Sequence, residues 1–565
     1  MSSVKNALGG KNLLITGVTG FVGKVLVAFL LEHLTAGGPD DIGRLTLLSR
    51  GKRGKDARAR IVQILERSPA LRPLRARHGK DLGAWLATRI DVVDGDAREP
   101  RLGIGKGELA TLVKRIDAVV HVAGLTDFSP DPLDALAVNV HGALGAAEVA
   151  ALCRGRRLLH VSTCFVAGGV NGTAPERVAM EDAQGATSPN GTRFRPEDEL
   201  LAMESLCRSL TERYPDQAEA RRARIESGTL RARSLGWPNL YTYSKALAEL
   251  LIVSRHLRER PPLRVSIVRP SIVECAQRFP FPGWNEGVNT AAPLVWLVGT
   301  AHRRMPLRAE NVFDVIPVDE VVKGMVLSLA SLFGERQSPN QDVDVFQLAT
   351  GDHNPLILGR ALDLTALTRR RQYARSSDPF ERIVLQHLDS VIHDVAAEDD
   401  PVLPALKTAT RAVRDMFVAF DAETYLPRAL RESFGARLTT LAQKAGKELG
   451  QASRTVGLVS EMLRAFQPFV LDHDPHFATD RMRTLSAALS DEERPIFGLT
   501  TESLDWRDYW VNIEIPGLDR WSLPVLRGER VPEDDPTPLG TPLALVPASP
   551  VDELPEGLTY AGDAE

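Results

Sequence analysis

The feature that most constrains this chain lies close to its N-terminus. Asn12 to Thr16 has the length and composition of a buried strand, and Phe21 to Leu34 carries apolar residues at helical spacing. Between them stands Thr16-Gly17-Val18-Thr19-Gly20-Phe21-Val22-Gly23. In such a turn one glycine allows the tight bend, a second lets the backbone approach a pyrophosphate, and a third lets helix and strand pack closely. The phosphates then lie against the helix N-terminus, where unpaired N–H groups and the helix dipole favour negative charge. A glycine triplet alone also serves as a structural turn. The strand before it and the helix after it favour a dinucleotide site drawn from Thr16, Gly17, Thr19, Gly20, Phe21, Val22 and Gly23.

Further apolar runs follow at Arg44 to Ser49, Ile90 to Asp94, Ala118 to Val122, Leu158 to Ser162 and Val265 to Val268. Strands alternating with helices imply right-handed crossovers and a parallel sheet covered on both faces. The fold class expected is α/β, a doubly wound parallel Rossmann-type sheet with a C-terminal, mostly helical domain. The end of the second strand distinguishes the two nicotinamide cofactors, since a ribose 2′-hydroxyl wants a carboxylate there and a 2′-phosphate wants arginine. The chain reads Leu48-Ser49-Arg50-Gly51-Lys52-Arg53, with three cations and no carboxylate. A solvated basic loop would read alike, but the position at this strand end favours NADPH, with Arg50 the first phosphate ligand and Lys52 beside it. Asp96 after the third strand is placed against the adenine, and Ala123 and Gly124 are small enough to let the cofactor pass.

At 565 residues the chain is too long for one ordinary domain. Residues 1–360 are expected to form the NADPH-binding catalytic domain, with a polar, Arg- and Glu-rich insertion at about 171–236 lying over the sheet. Residues 361–528 read as a helical domain, with stretches such as Leu403 to Phe420 and Leu438 to Phe466, and 529–565 as a Pro-, Asp- and Gly-rich tail. The net charge of −4 argues against nucleic acid as a partner. Four scattered cysteines (Cys153, Cys164, Cys207, Cys275) fit a reducing compartment better than a disulfide framework. Met1 to Lys11 has no apolar signal core, and no stretch approaches ~18 uninterrupted apolar residues, so a transmembrane segment is not expected and a cytoplasmic enzyme is.

Tyr241-Thr242-Tyr243-Ser244-Lys245 opens a helical stretch ending near His256. Tyr241 and Lys245 are four apart and project from one helix face, whereas Tyr243 lies on the opposite face. An ammonium beside a phenol lowers the phenol's pKa and makes it usable as a proton donor near neutral pH. Tyr-x-x-x-Lys is common on protein surfaces, but here it follows a glycine turn and several strands. Upstream, His160-Val161-Ser162-Thr163-Cys164 closes a strand, making Thr163 the first choice as hydroxyl partner of a carbonyl oxygen, with Ser162 as fallback. Asn139, on a helix after Val138, is a candidate to organise the lysine, a water or the cofactor. Asp472-His473-Asp474-Pro475-His476 has the look of a metal cluster, yet no third ligand site recommends itself, and it reads as structural.

The glycine turn, the Ser162-Thr163 strand end and the Tyr241/Lys245 pair resemble the extended short-chain dehydrogenase/reductase family. Gly95-Asp96 with Arg101-Leu102-Gly103, His121-Val122-Ala123-Gly124, Val268-Arg269-Pro270-Ser271-Ile272-Val273 and Pro282-Gly283-Trp284 resemble its fatty acyl-CoA reductase branch. So do Leu504-Asp505-Trp506-Arg507-Asp508-Tyr509-Trp510 and Ile515-Pro516-Gly517-Leu518 near the C-terminus. The resemblance implies Thr163, Tyr241 and Lys245 as the catalytic trio and Gly17, Gly20, Gly23 and Arg50 as holders of NADPH. It implies reduction of a fatty acyl-CoA or acyl carrier protein thioester, through an aldehyde, to a primary alcohol. Gly124 departs from the alanine usual in that branch, a change expected to be harmless. The apolar runs Phe279 to Trp284 and Pro293 to Val298 are candidates to line an acyl chain, as is the helical domain. Peripheral membrane contact is compatible with such a substrate. Three alternatives stay open: a sugar-nucleotide epimerase, opposed by the Trp-containing C-terminal segment and the second domain; a thioester reductase that stops at aldehyde or acts on a carrier-protein substrate; and a non-catalytic cofactor-binding scaffold, opposed by the intact trio.

Overall fold

The computed structural model describes residues 3–377 and 464–531, apart from 36, 39, 52–55, 181–184, 257–261, 289–290, 299–303, 335–342, 465 and 527, together with 382 and the strand Val391–His393. Lys52, the stretch Leu403 to Phe420, nearly all of Leu438 to Phe466 and the tail after residue 531 lie outside the described residues.

Seven parallel strands form the central sheet: β1 (Leu13–Thr16), β2 (Leu45–Ser49), β3 (Ile90–Asp94), β4 (Ala118–His121), β5 (Arg157–Val161), β6 (Arg264–Pro270) and β7 (Val343–Leu348). Their spatial order is β7-β6-β5-β4-β1-β2-β3. Six coincide with the expected runs to within two residues. The seventh is an edge strand paired only with β6; its short run Val-Asp-Val-Phe-Gln-Leu has polar residues at two positions and gives a weak sequence signal.

The helices used below are α1 (Phe21–His33), α2 (Gly142–Leu152), α3 (Pro196–Arg213), α4 (Gln217–Ser234), α5 (Leu240–His256) and α6 (Val318–Ser331). Leu13 and Ile15 of β1 join the core beneath α1 and α6, while Leu14 joins the core beneath α2 and α5. Burial on both faces explains why β1 is apolar throughout rather than alternating. The strand order reverses between β1 and β4, and in open sheets ligands bind beyond the strand ends at such a point. The helical run Pro132–Leu152 is long and apolar enough to cross a membrane by length and composition, a property the sequence reading passed over. In the fold it serves as a core helix, 67% buried over its most apolar window.

The start of the polar insertion meets the sheet, Glu176 accepting the Gln347 N–H of β7 at 2.9 Å, and its helices lie further out. Its α3/α4 hairpin packs on α5 and on the turn at Pro132–Ala135. It is held by an apolar stripe, Leu200, Met203, Cys207 and Ala232 joining the core under α5, and by ion pairs: Arg224 to Asp131 at 2.5 Å, both buried, and Arg231 to the buried Glu199 at 2.5 Å. Glu199 also accepts the Tyr243 hydroxyl at 2.8 Å, so Tyr243 points away from Tyr241 into the hairpin. Further along, Trp506, Tyr509 and Trp510 are buried in a third core with the helix Ala291–Val298. Phe279 packs against Phe29, and Phe281 and Trp284 pack against Trp521, so that run serves as core. The segment around His473 and His476 is an edge strand, Pro475–Phe477 pairing with Gly172–Ala174, and Asp474 accepts the Val312 N–H at 2.9 Å.

Beneath α5, Arg269 of β6 grips Glu249 through two hydrogen bonds of 3.0 and 2.5 Å, both side chains almost fully buried. Removing one partner leaves a buried unpaired charge. Arg269→Met is expected to destabilise the fold by about 3–5 kcal/mol, and Arg269→Met with Glu249→Leu by clearly less. Urea denaturation of both variants checks this.

Candidate active site

The glycine turn has the geometry its sequence implies. Gly17 has φ +73°, and a Cβ there would stand 2.5 Å from the Ala123 nitrogen on the neighbouring strand end. A Cβ on Gly23 would collide with the Gly17 carbonyl oxygen. At Gly20 the nearest atom to such a Cβ is 3.5 Å away, leaving the backbone open to close approach. Gly20 also N-caps α1 with no side-chain hydrogen bond, so the helix's first N–H groups face the crevice without a side-chain acceptor. A cavity of about 1360 Å³ opens there, lined by Gly17, Thr19, Gly20, Phe21, Val22 and Gly23 and by Ala123 and Gly124. These residues fit a dinucleotide: the turn offers bare backbone to a pyrophosphate and the space beyond it is large enough.

At the basic end of the cavity, Arg50 stands half-exposed, 3.3 Å from Asp96. Arg98 holds the same carboxylate at 2.7 Å, and its hydrogen bonds take the Asp96 pKa down to about 2. Arg60, in the first turn of the helix Ala57–Arg67, donates to the Arg50 carbonyl at 3.0 Å. Arg60 and Arg98 both line the cavity and were missed in the sequence. Arg98 follows the end of β3 closely enough for a local signal, whereas Arg60 comes from the helix after β2 and meets it only in the fold. Asp96 is thus engaged by two guanidiniums rather than standing free for adenine.

Two expected ligands stand behind the wall. Thr16 is fully buried, its hydroxyl joined to His121 Nδ1 at 2.9 Å and accepting the Ala123 N–H at 3.2 Å. Asn139 accepts the Leu125 N–H at 2.7 Å and donates to the Leu125 carbonyl and to Ser244 Oγ at 3.0 and 2.9 Å. Its amide pins the loop after β4 to α5, which makes it a positioning group.

Tyr241, Lys245 and Thr163 all line this cavity. Thr163 follows β5, donates to the Pro270 carbonyl and caps the turn Cys164–Ala167. Its side chain lies beside the Tyr241 phenol. Burial pushes that phenol up to about 12, the Thr163 contact opposing it. The expected lowering of the phenol by Lys245 does not appear here, because the ammonium turns instead to the Val161 carbonyl at 2.9 Å. Burial brings Lys245 down to about 8, with Glu249 one turn further along pulling the other way. Gly124 has a spatial role: a Cβ there would come 2.9 Å from Lys245 Nζ. Past the trio the cavity wall turns aromatic. Phe128 lies 6.3 Å from the Tyr241 ring, Phe466 and Phe469 lie 5.8 and 5.4 Å from Phe128, and Phe165 lies 5.1 Å from Phe469. Of the two apolar runs expected here, only Pro293 reaches this cavity.

Sheet order, glycine turn and the α5 pair place this chain in the class of extended short-chain dehydrogenases/reductases, oxidoreductases that use a nicotinamide cofactor. The profile of the male sterility protein family, an NAD-binding family, matches residues 15–325. The chain belongs to that family, the fatty acyl-CoA reductase branch of the class. It is similar to the chloroplastic fatty acyl-CoA reductase 2 of Arabidopsis thaliana, 25% identical over 92% of this chain and 80% of that one. It is 26% identical to the alcohol-forming fatty acyl-CoA reductase of Simmondsia chinensis, over 92% of this chain and 98% of that one. Among solved structures, the reductase domain of a nonribosomal peptide synthetase from Mycobacterium tuberculosis aligns with 91% of this chain and 96% of its own, at 18% identity and a TM-score of 0.48.

The buried lysine carries a stability consequence. Its folded pKa of about 8 lies below its ordinary 10.5, so the unfolded chain binds more protons between those values. Lys245 therefore opposes folding at neutral pH, and the penalty fades as pH rises through that window. Lys245→Met is expected to stabilise the fold at pH 7 by roughly 1–3 kcal/mol, the gain shrinking towards pH 10. Denaturation at both pH values checks it; a loss of stability at pH 7 would mean that the Val161 hydrogen bond outweighs desolvation.

Proposed function

We propose that this protein reduces a long-chain fatty acyl-CoA thioester with NADPH, through an aldehyde, to a primary fatty alcohol, releasing CoA. The observation that carries this reading is the position of the Tyr241–Thr163 pair, between the glycine turn and the aromatic wall of one cavity. A thioester carbonyl between those ends would have a cofactor on one side and its acyl chain against Phe128, Phe165, Phe466 and Phe469 on the other. The names of the two reductases to which the chain is similar supply the substrate class, and one of them is alcohol-forming.

The reduced nicotinamide, when bound, supplies the hydride. Tyr241 and Thr163 present their hydroxyls to the carbonyl oxygen and stabilise the negative charge that develops on it. That oxyanion then collapses and expels the thiolate of CoA, leaving an aldehyde. For the aldehyde the same two hydroxyls polarise the carbonyl, and Tyr241 gives its proton to the nascent alkoxide. Lys245 lines the same cavity, its ammonium held at the Val161 carbonyl, and brings positive charge to that wall. The aromatic wall keeps water from the aldehyde between the two steps. At the other end, Arg50, Arg60 and Arg98 form a basic rim suited to a 2′-phosphate, which supports NADPH over NADH.

In this reading residues 1–360 bind cofactor and carry the chemistry, and residues 361–528 complete the acyl side through Phe466 and Phe469. All four cysteines are buried and free, in keeping with a reducing compartment such as the cytoplasm.

The first test mixes purified protein with palmitoyl-CoA and NADPH and counts cofactor oxidised per CoA released. Two per CoA, with a fatty alcohol as product, is the expected result; one per CoA with accumulating aldehyde would overturn the alcohol-forming step. Tyr241→Phe is expected to lower kcat by about 10³ or more while leaving the NADPH Kd nearly unchanged, and equal loss of both would remove its assigned role. Arg50→Ala with Arg60→Ala is expected to raise the Kd for NADPH at least about tenfold more than that for NADH.

A further inference from the structure

Three polar side chains interrupt an apolar sheet face below Lys245. Thr16, His121 and His160 lie side by side on β1, β4 and β5, Thr16 opposite His121 and His121 opposite His160. All three are fully buried. The residues two positions back on the same strands, Leu14, Val119 and Leu158, belong to the apolar core under α2 and α5. Thr16 Oγ1 accepts the Ala123 N–H, so its own hydrogen goes to His121 Nδ1 and the His121 hydrogen is assigned to Nε2. The His121 ring stacks on that of His160, centroids 5.5 Å apart and planes 14° from parallel. His121 Nε2 and both ring nitrogens of His160 have no hydrogen-bond partner among the described residues. Interior polar groups are seldom left so, and a purely apolar role at these positions would be met better by leucine or phenylalanine.

Lys245 offers the matching donor. Of its three ammonium hydrogens, one goes to the carbonyl of Val161, the residue after His160, and α5 covers the same sheet face as the histidines. Burial, and after it the Lys245 charge, lowers the pKa of both rings and keeps them neutral. Asn139, the other polar group near the ammonium, has its amide committed to Leu125 and Ser244. The remaining charge that acts on Lys245 is Glu249, already paired with Arg269.

We propose that His160, steadied by His121 and Thr16, is a positioning residue for Lys245 and seats one internal water between its imidazole and the ammonium. The water oxygen accepts a second ammonium hydrogen, and one water hydrogen goes to an unprotonated nitrogen of His160. With two hydrogens fixed inside the protein, the third is aimed into the cavity, and the ammonium stays charged at a buried site. The inference rests on Lys245 acting in the cofactor cavity as proposed above, and is independent of the acyl substrate.

The test is the NADPH affinity of the full chain, followed by cofactor fluorescence from pH 6 to pH 10, for wild type, His160→Phe, His160→Gln and Thr16→Val. Wild-type affinity is expected to fall as pH rises through about 8, where Lys245 loses its proton. In His160→Phe the midpoint should move about one pH unit lower, the size of one lost hydrogen bond to a charged group. His160→Gln, which keeps a donor and an acceptor, should restore it. A folded His160→Phe with the wild-type midpoint overturns the proposal. If that variant does not fold by circular dichroism, Thr16→Val decides: a smaller downward shift supports the proposal and an unmoved midpoint overturns it. A shift seen in a protein that does not turn over palmitoyl-CoA would leave the proposal standing and sink the substrate reading. A wild-type chain that binds no NADPH would sink the cofactor reading and the proposal together.

Discussion

A charged lysine held inside a protein must be compensated on every side, and around Lys245 that requirement orders much of the structure. Its ammonium reaches the Val161 carbonyl at the end of β5. The helix that carries it is tied to β6 by the buried Glu249–Arg269 pair and to the loop after β4 by Asn139 and Ser244. Gly124 leaves room for the ammonium where a methyl group would press on it. On the far side of α5, Tyr243 and Glu199 fasten the α3/α4 hairpin, so the insertion braces the helix that bears Tyr241 and Lys245. Each contact lies on a different element, yet each fixes the direction in which one pair of side chains enters the crevice.

That crevice combines two chemistries that exclude each other elsewhere on a protein surface. One end is bare backbone and guanidinium, suited to phosphate; the other is four phenylalanine rings. Where Thr163 and Tyr241 stand, two hydroxyls share the cavity with the aromatic wall, the setting that the proposed function requires. The aromatic end is not built by one stretch of chain. Phe128 and Phe165 follow β4 and β5, while Phe466 and Phe469 arrive from the C-terminal part. The C-terminal part is locked down by groups that tolerate no slippage. Glu514 accepts the Cys275 N–H at 3.1 Å and the Tyr509 hydroxyl at 2.9 Å, and burial pushes its carboxyl and that of the adjoining Glu274 upwards.

Much of the sheet and the helix α5 was legible in the sequence because their signals are local. The β1–α1 turn reads directly from glycine spacing, and Tyr241 and Lys245 from one helical turn. What escaped depends on distance along the chain. Arg60 and Arg98 become a basic rim only when two crossovers bring their strand ends together. The aromatic wall needs residues separated by hundreds of positions, and the nearer run Phe279 to Trp284, which looked suitable, is spent as core against Phe29 and Trp521. The placement of α3 and α4 was hidden for another reason: ion pairs such as that of Arg224 with Asp131 help fix how they dock, and charged residues in a sequence look the same whether they face a partner or water.

Thr16 and Asn139 show why a residue inside a motif need not touch what the motif binds. Both fall within segments that read as ligand contacts, and both turn their polar atoms inward. Thr16 ends β1 with its side chain on the face opposite the crevice floor, because strand alternation leaves it no other direction once Ile15 is committed to the core under α1. Its hydroxyl then fixes the Ala123 backbone and the His121 ring, and through them the neighbourhood of Lys245. A threonine read as a cofactor ligand thus acts one layer deeper, on the lysine's surroundings. The same displacement moves Asn139 from the cavity wall to the hinge between the β4 loop and α5, where its three hydrogen bonds set the height at which Lys245 enters.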